Sequence, residues 1–448
     1  MAKKNPGKAP NDPGITAVSS PVDQMLLAAL ERGGETMETG RYLVTMKEEA
    51  IEEGIAAFSD AGMRVADARD FRDQAVELET LGDAEAVVFP EIGVALIGGD
   101  SARARGLGVH DEIASDSPIE SIDPELFVFA DNDFEAFVKR ARGIDQESPG
   151  QYLRGFADAA QTIAAGFTDG ELKEFEDEEV MVLGSTIGLR LCRVPPSPRS
   201  GSGIRVAVLD TGMDLGHPDF AGRPFITRTF VGQPVQDLHS HGTHCIGTAC
   251  GPLAPAGAIP RYGIGYRSSI FVGKVLSNSG GSVGGSVLNG MNWAIANRCA
   301  VISMSLGGSG GVQPSYTAAG AAALTRGLLI IAAAGNNAGP TGYPANSPTI
   351  MSVAALTNTL TPASFSNFGK IEIAAPGVDV FSSVPRPVRY GRKSGTSMAT
   401  PHVAGVASLW AESSSSLRGV ALWKKLQASA RRLPFPATRV GAGLVQAP

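Results

Sequence analysis

The chain has 448 residues, 43% hydrophobic and 19% charged, with a net charge of −7, a composition that excludes a disordered chain and leaves room for more than one domain. The charge is divided: residues 1–200 carry 38 acids against 19 bases and residues 201–448 carry 7 acids against 19 bases, which points to two regions that attract each other. The bases of the second half are scattered, with no basic run or aromatic interleaving, so no nucleic-acid partner is expected.

Residues 1–38 are polar and rich in Lys, Pro and Gly, and read as a flexible tail. They contain no apolar stretch long enough for a signal peptide, and no run in the chain approaches a membrane span. Four cysteines without a CxxC pair form no disulfide framework. Free thiols and the missing signal favour the cytoplasm, with export by a non-classical route as the alternative. From 39 to 100 the pattern is α+β: 41-RYLVTM-46 as a strand, 47–61 as a helix, and 85-EAVVFPEIGVALIGG-99 as two short strands. Residues 101–193 form an acidic extension with helical stretches near 133–142 and 151–166 and no recognisable chemistry. The Pro, Ser and Gly of 194-VPPSPRSGSG-203 read as an exposed linker.

From 204 to 448 continuous apolar runs alternate with helical patterns: 204-IRVAVL-209, 270-IFVGKVL-276, 300-AVISMSL-306 and 328-LLIIAAA-334. Strands buried on both faces imply an α/β three-layer sandwich with a mostly parallel central sheet. Chemistry is then expected at the carboxyl ends of those strands.

Four segments lie there. Asp210 closes the first run in 204-IRVAVLDTGMD-214; the DTG occurs once, without the second copy an aspartic protease needs. His241 opens a helix in 239-HSHGTHCIGTAC-250, where His244 and Cys245 at helical spacing leave a metal site open as an alternative to a catalytic base. Asn336 follows the strand of 328-LLIIAAAGNN-337, placed to donate to an oxyanion. Ser397, in 394-SGTSMATPHVAGVASLW-410, opens an almost wholly apolar helix, whose dipole and unpaired N–H groups favour negative charge.

Together, DTG, HGTHC and GTSMATPHVAG resemble the three signatures of the subtilisin-like serine proteases (subtilases), over about residues 203–448. The resemblance implies a serine endopeptidase with Ser397 as nucleophile, His241 as base, Asp210 orienting it, and Asn336 in the oxyanion hole. It implies a protein or peptide substrate paired between Gly280–Gly281–Ser282 and Ser305–Leu306–Gly307, with a side-chain pocket walled by Leu306, Ala333, Gly335 and Gly342. Gly284 stands where many relatives carry an aromatic lid, so the more distant pocket is expected to be open. No cofactor is required and no metal ligands are assigned. The ligands of the family's tight calcium site are missing from 251–265, which leaves only a weak site at Glu372 with nearby carbonyls. The 39–100 module resembles the family's inhibitory propeptide, making the chain's own prosegment a partner and placing autocleavage within 180–203. A maturation protease dedicated to one partner and a silent peptide-binding scaffold are the alternatives; a sedolisin-type protease would carry glutamate in place of His241.

Overall fold

The computed structural model describes residues 21–31, 37–78, 84–104, 113–130 and 184–448. The helices expected at 133–142 and 151–166 lie outside them.

The N-terminal region contributes β1 (Glu38–Met46), β2 (Val65–Asp67), β3 (Ala86–Phe89), β4 (Val94–Ile97) and β5 (Ile119–Phe129). The C-terminal half contributes β6 (Arg205–Asp210), β7 (Phe225–Thr229), β8 (Ser269–Lys274), β9 (Gly281–Val283), β10 (Val301–Met304), β11 (Leu329–Ala333), β12 (Met351–Leu356) and β13 (Ile373–Pro376), followed by the β14 (Val380–Ser383) and β15 (Tyr390–Lys393) ribbon.

Seven strands form one sheet, in the order β13-β12-β11-β10-β6-β8-β7. Every pairing in it is parallel. Side chains alternate across a strand, and the core divides accordingly. Val206 and Val208 of β6 face one cluster, with Cys245 and Ile246 of the helix His241–Cys250 and Val403 and Val406 of the helix Thr396–Ser413. Ala207 and Leu209 face the other, with Met291 and Trp293 of the helix Gly284–Ala296 and Tyr316 of the helix Pro314–Thr325. This is the expected three-layer sandwich. Among the described residues, no helix is long and apolar enough to cross a membrane.

The second sheet runs β2-β3-β4-β1-β5-β9. Its outer face carries Val44, Met46, Val88 and Ile97 against Phe58 of the helix Ile51–Asp60. Its inner face carries Leu43, Val87 and Leu96 into the same cluster as Met291 and Trp293. The N-terminal unit therefore shares a core with the C-terminal half, and its last strand, β9, belongs to that half.

Three expectations change. The α+β unit does not end at 100, because β5 pairs with β1 over Glu38–Met46 and carries the chain to Ala130. Residues 21–31 of the expected tail form a helix, Pro21–Glu31, with Val22 and Leu26 buried against Phe127, Phe129, Val231 and Val283. Residues 194–203 are an anchored segment, with Pro195, Pro196, Pro198, Ser202 and Gly203 exposed as expected. Val194 is buried in the main core, and the N–H groups of Ser200 and Gly201 donate to Glu412 at 2.6 and 2.7 Å. Pro, Ser and Gly allow a loop, but these anchors fix its path.

Candidate active site

Asp210 ends β6 at the carboxyl edge of the parallel sheet, and its Oδ1 accepts from the N–H of Thr211 at 2.7 Å. His241 is the first residue of its helix, reached through Ser240 in the left-handed region at φ 80°. His241 Nδ1 lies 2.8 and 3.0 Å from the two Asp210 oxygens. A carboxylate only accepts, so the ring carries its proton on Nδ1, which leaves Nε2 as its acceptor.

Ser397 sits in the first turn of the helix Thr396–Ser413. Pro401 inside that helix has no N–H to give the carbonyl of Ser397 four residues earlier. That carbonyl is taken instead by Ser305 Oγ at 2.8 Å and Cys245 Sγ at 3.5 Å. Cys245 is thus a buried support beneath Ser397, and burial raises its thiol pKa. Asn336 Oδ1 accepts from Thr396 N and Oγ1 at 2.8 and 2.9 Å. Asn336 Nδ2 lies beside Gly395, 3.4 Å from where a Cβ there would stand.

The opening between these groups is filled by the chain itself. Phe127, Val128 and Phe129 pair antiparallel with Val283, Ser282 and Gly281. Ala130 N continues that ladder by donating to Gly280 O at 2.9 Å, and on the opposite edge Phe129 and Gly307 exchange two hydrogen bonds of 3.0 Å. Ser397 Oγ donates to Ala130 O at 3.1 Å. Asp210, His241 and Ser397 are each only 1% exposed beneath this strand, so no other peptide reaches them in this state.

The structure therefore brings together Asp210 with His241, Asn336 with the Ser397 turn, and both predicted edges around one extended strand. Of the expected pocket wall, Leu306 and Ala333 are buried. Gly342 has a packing reason of its own: a Cβ there would lie 2.1 Å from Gly308 O. The space beyond Gly284, expected to be open, is lined by Leu43 and Glu125, each 3.5 Å from where its Cβ would be. Glu125 is fully buried and accepts from Gly285 N at 2.7 Å, at the start of the helix Gly284–Ala296, and from Thr39 Oγ1, Arg41 Nε and Arg41 Nη2 at 2.5, 2.6 and 2.8 Å. A side chain at Gly285 would meet the Glu125 carboxylate at 2.8 Å.

The opening histidine cluster divides by role. His244 Nε2 donates to Val380 O at 2.8 Å, and burial lowers its pKa to about 3. It is a neutral packing residue. Asp210, His241 and Cys245 bring three ligand-type atoms within 4.8 Å, but Nδ1 of His241 is already committed to Asp210. The weak calcium site expected at Glu372 holds a different cation. Lys370 Nζ donates to Ala345 O at 2.9 Å, to Ile350 O, and to Glu372 at 2.7 Å, so an ion would have to displace an ammonium group. Asp237, which carries no local signal in the sequence, is fully buried beside His241, and its carboxylate accepts five hydrogen bonds.

Residues 201–443 match the subtilase family. The chain belongs to that family. The subtilase is 39% identical over 219 residues to subtilisin amylosacchariticus of Bacillus subtilis subsp. amylosacchariticus, covering 47% of this chain and 56% of that protein. The chain thus spans little more than half of that relative's length. It is 37% identical over 285 residues to M-protease of Shouchella clausii strain KSM-K16, covering 61% of this chain and 72% of the relative. The crystal structure of a cold adapted subtilisin-like serine proteinase superposes with a TM-score of 0.53 at 30% identity, covering 59% of this chain and 98% of that one.

Proposed function

We propose that this subtilase is a serine endopeptidase made as a zymogen, and that residues 38–130 are its inhibitory prosegment. One observation carries the reading: Ser397 Oγ donates to the carbonyl oxygen of Ala130 at 3.1 Å, at the end of a strand paired on both edges, so this chain's own backbone occupies the place a substrate carbonyl would take. Pairing through main-chain groups accepts many sequences, so the site suits extended segments of protein substrates.

In turnover a substrate strand takes the place of residues 127–130. The Ser397 hydroxyl adds to the scissile carbonyl carbon while His241 Nε2 takes its proton. Asp210 holds the ring through Nδ1 and stabilises the imidazolium. Asn336 and the Ser397 N–H hold the oxyanion. The C–N bond then breaks, the amine leaves with the proton from His241, and water hydrolyses the acyl-enzyme by the same route.

The first autocleavage falls within one residue of Ala130, at Ala130–Asp131 or Asp131–Asn132. A cut within 184–203 would sever segments anchored in the catalytic core. Fluorophosphonate labelling tests the activity: the processed chain should be labelled at Ser397, and Ser397→Ala should not. A processed wild-type chain that resists the reagent would contradict the reading.

A further inference from the structure

The carboxylate of Asp237 takes no part in the steps above, yet it is fully buried four residues before the base. Its Oδ1 accepts from Thr211 Oγ1, His239 N and Ser240 N, all at 2.9 Å. Its Oδ2 accepts from Thr243 N at 2.9 Å and Thr243 Oγ1 at 2.7 Å. All five partners are donors, so both oxygens must be acceptors, which an ionised carboxylate provides and an amide does not. Thr211 Oγ1 accepts in turn from Gly242 N at 2.8 Å, and Thr211 N donates to Asp210. One anion thus ties the turn after Asp210 to both sides of His241. It also holds Ser240 in its left-handed conformation, which costs a non-glycine residue free energy.

We infer that Asp237 is a positioning residue, fixing the His241 ring against Asp210 by clamping the Ser240 turn and the first turn of the helix to Thr211. The charged and titratable groups acting on it are Lys274 from β8 and His239 from its own loop; Asp210 lies one residue further, through Thr211, and His241 follows Ser240. Burial opposes ionisation of Asp237, but the Lys274 ammonium and the Thr243 donors outweigh it and hold the carboxyl below its ordinary range.

The inference rests on the proteolytic reading for its kinetic consequence but not for its geometric one, so two readouts are needed. In the first, Asp237→Asn is compared with wild type on a chromogenic peptide after maturation, aided where necessary by a trace of wild-type enzyme. The expected result is a kcat loss on the order of 10²-fold with KM nearly unchanged. The acid limb of kcat should move to lower pH, because removing a negative charge near His241 lowers the imidazole pKa. In a His241→Ala background the same substitution should cost nothing further. Equal losses in both backgrounds, or none in either, would overturn the inference. The second readout uses the full-length Ser397→Ala chain with 15N-labelled histidine. The His241 Nδ1–H resonance should shift and broaden on Asp237→Asn; an unchanged resonance would overturn the inference whether or not the chain cleaves peptides. Should Asp237→Asn fail to fold, Thr211→Val removes two links of the same clamp and carries both readouts, with a smaller loss in the same direction.

Discussion

The carbonyl oxygen of Ala130 lies 3.1 Å from Oγ of Ser397, although 267 positions separate them in the sequence. The contact joins the two halves of the chain at their chemistry. Main-chain pairing holds the strand in place, and a buried carboxylate, a helix and a shared core hold the unit behind it.

Glu125 ties the two halves directly. It joins the start of the helix Gly284–Ala296 to Thr39 and Arg41, and the helix dipole favours an anion there. Glu125→Gln removes that charge from a site with charged and backbone donors, at a cost of about 2 kcal/mol. The proposed prosegment should then release the nucleophile roughly 30-fold more readily. Stopped-time fluorophosphonate labelling of Ser397 measures this directly, and unchanged labelling would show that Glu125 does not govern release.

The helix Pro21–Glu31 is a second clamp on the same strand. Asp23 Oδ1 accepts from Ser277 Oγ at 2.9 Å and Ser279 Oγ at 2.6 Å, while Val22 and Leu26 cover Phe127 and Phe129. Asp23→Ala should weaken latency by about 1–3 kcal/mol, read as faster labelling of Ser397. The β1–β5 sheet should remain folded, since its outer cluster does not involve the helix.

Two buried histidines make the fold acid-sensitive. His402 donates through Nδ1 to Met398 O at 2.9 Å, and burial lowers its pKa to about 4; that of His244 falls to about 3. Above pH 6.5 both are neutral in either state. Below it the unfolded chain takes up protons that the folded chain refuses, so stability falls as pH drops from about 6.5 toward 4. For His402 alone the loss is roughly 3 kcal/mol. Denaturation midpoints of the Ser397→Ala chain across that range should show the fall, and His402→Gln should flatten it.

Much of the catalytic half was legible because its determinants are local. A buried run ending in Asp210, a helix opening at His241 and a small-residue helix opening near Ser397 each carry their own signal. The N-terminal half was less so, because its determinants lie in the other half. Along β5 the residues 119–124 stay partly exposed and burial comes only near the end, where β9 and the catalytic helices cover it. The helix Pro21–Glu31 docks on Val231 and Val283, more than 200 positions away. The polar run 194–203 is fixed by Glu412, which no local pattern reveals. Asp237 looks like any loop aspartate until Thr211 and Thr243 are brought to it.

Lys370 makes a further prediction about metal. Its ammonium sits among Ala345 O, Ile350 O and Glu372, where a cation would have to bind. A chelator should leave the thermal midpoint unchanged. Lys370→Ala leaves Glu372 and two carbonyls without their cation and should lower stability by about 1–3 kcal/mol. Calcium should recover part of that loss in the variant and have no effect on the wild type; stabilisation of the wild type by calcium would show that ions bind elsewhere.

The most direct test of the whole account is the intact mass and new N-terminus of the purified full-length chain over time, beside Ser397→Ala. The wild type should show a cut that leaves Asp131 or Asn132 as the new N-terminus, and the variant should stay intact. A first cut within 180–203, or the same cut in Ser397→Ala, would contradict it.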